Sequence, residues 1–447
     1  MTSRTDTLPR DLLTYLVADA RRKLSRKKTP NDYVKTVDDL FQSLEQTIAE
    51  ERSWPLPRVH ELYIRCHDAY GLLGGALTAD HWQSPSFAYS GMSEAGDEGR
   101  SILANVNDYK RDMHAFGREL ETRYKTAYAK KHIFSPVTLA TSSGMAALTV
   151  SLILSKSHMG ADCMIALGEH SYFENKELVH MLFAKNRITV FDEYHPETLR
   201  NTSASIVLID SVANDPALTV PDMHAFYREL SRIPRRPFLL VDASASSILD
   251  IDLPSLSANR FRLVVFESLN KYHQFGLDRV TGGMITAYGV PFDDIYRVRD
   301  HAGTNISESA AATIPTPNGS LLKRYLARLR ENATRYQQIL ETVKGISVKT
   351  AGANGRMLGS IVSVELPEKK SGTYRKIIKR TIALAQKNKV PLLAGTTFGT
   401  PVTRLYTWST RSEFERPFLR ISPGLEDDES AKRTAALIVQ AIRSVLT

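Results

Sequence analysis

RLVVFESLNKYHQFGLDRVTGG, residues 262–283, is the stretch whose reading decides the fold. Leu263, Val264, Val265 and Phe266 form a short apolar run with β-branched residues, which predicts a buried strand. The chain then turns polar and presents Lys271 just past the strand's carboxyl end, where ligands bind in an open α/β sheet. Upstream, a second apolar run, Phe238-Leu239-Leu240-Val241, ends on Asp242. An amine and a carboxylate thus stand each at the end of a buried strand.

That pair suits pyridoxal phosphate (PLP), whose chemistry uses a lysine for the Schiff base and an acidic partner for the pyridinium nitrogen. Working outward, Val137–Ala140, Cys163–Leu167, Ile188–Phe191, Ile206–Asp210 and Met284–Tyr288 also read as strands. Helices are expected at 107–131, at 173–185 and at 223–233. The alternation predicts an α/β fold with a mainly parallel sheet covered on both faces, spanning residues 105–300. Between the first strand and its helix lies Thr141-Ser142-Ser143-Gly144-Met145-Ala146. Small residues at a helix start form an anion site suited to a cofactor phosphate, and Gly144 lets the backbone approach closely. Taken alone, the same residues also read as a serine cap.

Residues 301–447 predict a smaller α+β domain. Its expected parts are a linker or active-site loop at 300–320, a helix at 320–343, strands at 361–365, 391–394 and 418–422, and helices at 373–388 and 428–445. Residues 1–104 read as an arm. It has two polar helices within 10–52, joined near Pro30 and capped by Asn31. A largely irregular stretch follows, with one helix around 59–73 and a loop at 87–100.

The chain has 447 residues, 42% apolar and 24% charged, as in an ordinary globular protein. No apolar run approaches the ~18 residues of a membrane helix, and no secretory leader is evident, so a cytoplasmic compartment is the default. Cys66 and Cys163 are too far apart to form a metal spacing, and no metal is expected. The net charge of +9 is spread out. Its main cluster, Arg21 to Lys28, lacks the interleaved aromatics of a nucleic-acid platform and reads as solvated surface.

The motifs together resemble those of fold-type I PLP enzymes. They are most similar to the Cys/Met-metabolism family, which includes cystathionine γ-synthase, cystathionine γ-lyase and methionine γ-lyase. The resemblance covers roughly residues 105 to 447 and implies a seven-stranded-type sheet with a smaller C-terminal domain. It implies that Lys271 is the Schiff-base lysine and Asp242 the ring-nitrogen partner. Ser143, Gly144, Met145 and Ser268 would hold the phosphate, with Asn270 in place of a family threonine beside Lys271. Tyr172 would stack on the ring and serve proton transfer, and Asn214 would contact the ring hydroxyl. Tyr109 and Arg111, a Y-x-R pair, would reach the phosphate of a neighbouring subunit, which implies a homodimer or homotetramer. Arg420, in R-I-S-P-G-L-E, would clamp the substrate carboxylate. Thr397 would bind the substrate with it.

The chain departs from the family pattern at Tyr272-His273-Gln274-Phe275-Gly276-Leu277, after Asp242, and in its longer amino-terminal region. The expected activity is γ-elimination or γ-replacement on an L-amino acid. The substrate would be a sulfur compound or a specialised one, such as a γ-halogenated amino acid giving an unsaturated product. Alternatives are an aminotransferase and a non-catalytic regulatory protein of the same fold.

Overall fold

The computed structural model describes residues 7–27, 30–78, 101–102, 105–106, 114–129, 135–253, 260–353, 356–368, 370–408 and 417–446. It begins with three helices, α1 (Leu8–Leu24), α2 (Asp32–Glu50) and α3 (Leu56–Thr78). Two short antiparallel strands follow, β1 (Ser101–Ile102) and β2 (Asn105–Val106), and then α4 (Ala115–Tyr128).

Seven strands build the central sheet: β3 (Val137–Thr141), β4 (Met164–Gly168), β5 (Ile188–Phe191), β6 (Ala204–Asp210), β7 (Phe238–Asp242), β8 (Arg262–Ser268) and β9 (Gly283–Tyr288). Their spatial order is β3-β9-β8-β7-β6-β4-β5. All neighbours are parallel except β9, which runs antiparallel to both β3 and β8. Helices α5 (Gly144–Met159), α6 (Phe173–Leu182) and α7 (Met223–Leu230) connect the strands, and α8 (Phe292–His301) follows them. Every residue of β6 and β7 is buried, which explains why these strands read as continuous apolar runs without alternation.

After α9 (Glu308–Thr313) and the long α10 (Gly319–Leu340), a second sheet forms from β10 (Ser347–Ala353), β11 (Arg356–Glu365), β12 (Leu393–Ala394), β13 (Arg404–Trp408) and β14 (Phe418–Ser422). Its order is β10-β11-β14-β13-β12, with α11 (Ser371–Lys387) and α12 (Asp428–Leu446) packed beside it. The α/β class with a mainly parallel seven-stranded sheet is therefore observed.

Several expectations change. The helix expected at 107–131 is described only as α4, and its earlier residues lie outside the described ones. The amino-terminal helices are not polar all round. Leu12, Leu13, Leu16 and Val17 of α1 are essentially fully buried and share one core with the central sheet. Asn31 caps α2 as expected, its side chain accepting from Val34 N at 2.9 Å. Helix α3 is longer than its glycines suggest. Gly71 and Gly74 sit where a side chain would collide with the Arg279 guanidinium and with Ser309 O. Here glycine marks close packing rather than a break. The basic cluster is only partly solvated. The Lys23 ammonium is buried, donating to Ala312 O at 3.0 Å and Ile314 O at 2.7 Å beside Asp19 at 3.1 Å. The expected loop at 300–320 thus contains a helix, α9, and is tied down by α1. The loop expected at 87–100 lies outside the described residues.

Candidate functional site

The carboxyl ends of β6, β7 and β8 open into a cavity of about 500 Å³, walled on its far side by β13 and β14. Lys271 projects into it three residues after β8 ends. Its Nζ lies 3.5 Å from Thr397 Oγ1 and 5.0 Å from the centre of the Phe398 ring. Burial depresses the amine below the ordinary lysine range. Asp278 opposes that shift, Arg420 adds to it, and Asp242 opposes it.

Asp242 ends β7 beside Asp210 at the end of β6, and the two are register partners. Asp242 accepts from Ser244 N at 2.9 Å and from Asn175 Nδ2 at 3.0 Å. Asp210 accepts from Tyr172 N at 2.9 Å, Asn214 Nδ2 at 2.7 Å and Asn175 Nδ2 at 3.3 Å. Burial raises both carboxyls, and the neighbouring charge of Asp242 raises Asp210 further. Asn175, in the first turn of α6, therefore bridges two buried acids. Its Oδ1 is buried without a hydrogen-bond partner, an acceptor facing the need for a donor.

At another wall of the cavity, α5 begins at Gly144. Ser143 caps it, its Oγ accepting from Ala146 N at 3.0 Å. A Cβ at Gly144 would stand 3.1 Å from Ser268 Cβ, so the helix start is pressed against the end of β8. Gly283, where β9 begins, is tighter still, because a side chain there would run into the Ser143 carbonyl. The first backbone N–H groups of α5, which have no intrahelical acceptor, thus border the same cavity as Ser268. Asn270 also lines it, and its Oδ1 accepts from Gly282 N at 3.1 Å.

Arg420, on β14, is 6% exposed and lies among three rings. Its guanidinium carbon is 5.2 Å from the Trp408 ring centre, 5.3 Å from Tyr406 and 5.7 Å from Phe398. One nitrogen donates to Thr396 O, while Nε is buried without a partner. Among the described residues no carboxylate forms a salt bridge with it. Burial lowers its proton affinity to about 10, so it stays charged at neutral pH. A buried, unneutralised guanidinium is costly unless an anion joins it.

The structure brings together Ser143, Gly144, Met145, Tyr172, Asn214, Asp242, Ser268, Asn270, Lys271 and Arg420 around one cavity. Thr397 stands beside Lys271, reaching its amine rather than Arg420. Tyr109 and Arg111 lie outside the described residues. The Tyr172 ring lies 6.0 Å from Trp408, and burial, with Glu174 next, raises its phenol. Sequence reasoning missed Asn175, Tyr406 and Trp408. Asn175 falls in a helix with no motif around it. The two aromatics alternate along β13, a period-two signal in Arg404-Leu405-Tyr406-Thr407-Trp408 that was open to reading.

These residues fit PLP. A helix start and Ser268 offer an anion site, a buried carboxylate offers a partner for a ring nitrogen, and a depressed amine shares their cavity. The architecture is that of the fold-type I PLP-dependent enzymes. No family model matches the chain. It is 22% identical over 317 residues to the bifunctional enzyme flvA of Aspergillus flavus, a match taking in 66% of this chain. The chain spans 38% of that relative's length. Among solved structures it is similar to metB of Corynebacterium glutamicum, with TM-score 0.62, 18% identity, and 82% of this chain and 97% of that one covered. A cystathionine gamma synthase of Xanthomonas oryzae pv. oryzae superposes with TM-score 0.60 at 16% identity, over 80% of this chain and 92% of that one. A cystathionine gamma lyase of Micromonospora echinospora does so with TM-score 0.60 at 19% identity, over 77% and 92%. No helix among the described residues is long and apolar enough to cross a membrane.

Proposed function

We propose that this chain is a PLP-dependent lyase or transferase performing γ-elimination or γ-replacement on an L-amino acid. The observation that carries the reading is Arg420, a buried guanidinium with an unpartnered Nε in the cavity that also holds Lys271. An amino acid supplies both the carboxylate that such an arginine pairs with and the amine that the lysine chemistry needs. The γ-carbon is favoured by the names of the similar solved structures, a cystathionine gamma synthase and a gamma lyase.

PLP, when bound, supplies an electrophilic carbon for the substrate amine and a ring that stores electrons. Asp242, fixed by Asn175 and Ser244, would hold the proton on the ring nitrogen. Ser143, Gly144, Met145 and Ser268 would hold the phosphate, and Tyr172, Asn214 and Asn270 would hold the ring. Arg420 would pair with the substrate carboxylate and so fix how the amino acid lies in the cavity beside Lys271. Lys271 removes that proton and returns it elsewhere on the substrate. Its depressed proton affinity leaves more of the amine neutral near neutral pH. Tyr172, whose phenol is held protonated, serves as a proton donor to a departing γ-group. Tyr109 and Arg111 complete the phosphate site of a neighbouring subunit in a dimer or tetramer. The three-part division at 104 and 300 belongs to the same reading.

Incubation with a panel of γ-substituted L-amino acids, sulfur-linked and halogenated, tests it. Release of the leaving group with ammonia and a 2-oxo acid, or its exchange for an added nucleophile, is the expected result. Transfer of the amine to an added 2-oxo acid with no leaving group released would replace this reading with an aminotransferase.

A further inference from the structure

The loop that carries Lys271 is held from inside by one side chain. Gln274 is 1% exposed, and its carboxamide uses both donors and both acceptors on the main chain. Nε2 donates to Leu269 O at 3.2 Å and Val280 O at 2.7 Å. Oε1 accepts from Arg279 N at 2.8 Å and Val280 N at 3.1 Å. Leu269 lies on the leg entering the loop, and Arg279 and Val280 lie on the leg leaving it. The amide therefore ties together the two strands of chain between which Lys271 stands.

The loop needs such a tie. Phe275 has φ 51° and Asp278 has φ 48°, left-handed conformations that residues with side chains rarely adopt, and Gly276 between them has φ 94°. Backbone of this kind persists only where its surroundings over-determine it. The Phe275 ring is packed edge-on against Tyr15 of α1 at 5.6 Å and lies 6.1 Å from Tyr325 of α10. Asp278, at the end of the strained stretch, carries a charge that favours the Lys271 ammonium against the effect of burial.

We propose that Gln274 is a positioning residue that sets Lys271 against Asp278 and Thr397 by bridging the two legs of the lysine loop. The departure from the family pattern after Lys271 is then a replacement scaffold for the amine. The amino-terminal helix α1 takes part in it through Tyr15. The inference rests on Lys271 being the reactive amine of the proposed function.

The test uses the full chain without added cofactor, so that it stands apart from whether PLP binds. The amine is acetylated over a range of pH, and labelling of Lys271 is followed by mass spectrometry. The groups facing this amine are Asp278, Arg420, Asp242 and Arg404. In the unaltered chain its midpoint is expected below the ordinary ~10.4 of lysine, because burial disfavours the ammonium. Gln274→Glu keeps the shape but turns an acceptor toward Leu269 O and Val280 O, and Gln274→Met removes all four bonds. Both variants are expected to raise the midpoint toward the ordinary value as the amine escapes to water. With PLP and substrate supplied, kcat falls roughly 100-fold, as for a reacting group displaced by about 1 Å. Thr381→Val, which removes a buried hydroxyl bonded to Ile377 O in α11, controls for lost stability and leaves the midpoint where it is. If Gln274→Met does not fold, Gln274→Glu alone decides. A folded Gln274 variant with the original Lys271 midpoint overturns the proposal.

Discussion

Replacing Arg420 by lysine isolates the proposed recognition of the substrate carboxylate. The guanidinium fork can make two parallel bonds to a carboxylate, whereas an ammonium on a shorter reach makes one. A hydrogen bond to a charged group contributes about 1.5–3 kcal/mol, so kcat/KM for the L-amino acid should fall roughly 10- to 150-fold. An amine of the same side chain that lacks the carboxylate never engages the fork. Its turnover should change little. The assay is therefore the ratio of kcat/KM for the two compounds, measured for Arg420→Lys and the unaltered protein at matched cofactor loading. Burial already brings the proton affinity of Arg420 down to about 10, and a lysine in that place starts lower. The variant should consequently lose further activity as pH rises, when its ammonium gives up the proton. If the two compounds slow by the same factor, or the ratio does not move, Arg420 is not the carboxylate clamp.

Other consequences can be checked separately. Asp278→Asn should lower the Lys271 labelling midpoint further, since the carboxylate of Asp278 favours the ammonium. Folding stability should rise with pH between the depressed folded value of Lys271 and the ordinary ~10.4, because there the unfolded chain binds more protons. Lys271→Met should flatten that part of the denaturant-midpoint profile. Asn175→Ala removes the bridge between Asp210 and Asp242 and leaves both acids less satisfied. At about 1.5–3 kcal/mol for a bond to a charged group, PLP affinity measured by titration should drop at least tenfold. Gly283→Ala forces a side chain onto the Ser143 carbonyl at the start of α5. Overpacking of that kind costs about 1–3 kcal/mol or more, seen as a lowered Tm together with weaker PLP binding.

The parts of the site that lie at strand ends were legible in the sequence. Asp242 closes a short apolar run and Lys271 follows another by a few polar residues, both runs reading as buried strands, and Gly144 opens an apolar helix. Local chemistry and tertiary position coincide there. Asn175 and Gln274 were not legible as functional, because an amide in a helix or a loop carries no local sign of what it will bond. Only the packing of α6 against β6 and β7 makes Asn175 a bridge, and only the closing of 269–280 on itself satisfies Gln274. The amino-terminal helices were misjudged for a related reason. Lys23 and Gly74 look like surface charge and the end of a helix, yet each serves a contact hundreds of residues away, with Ile314 O and with Ser309 O. The short strand β13 follows a Thr-, Gly- and Pro-rich stretch that reads as loop and masks its alternation, although Tyr406 and Trp408 on it build the aromatic wall around Arg420.

The central claim is that Lys271 is the amine that holds PLP. Purified protein is mixed with PLP, reduced with borohydride and digested, and the labelled peptide is identified by mass spectrometry. The protein should be yellow before reduction and carry its reduced pyridoxyl group on Lys271, with both colour and label lost in Lys271→Ala. A protein that takes up no label, or carries it on another lysine while Lys271→Ala labels as before, would contradict it.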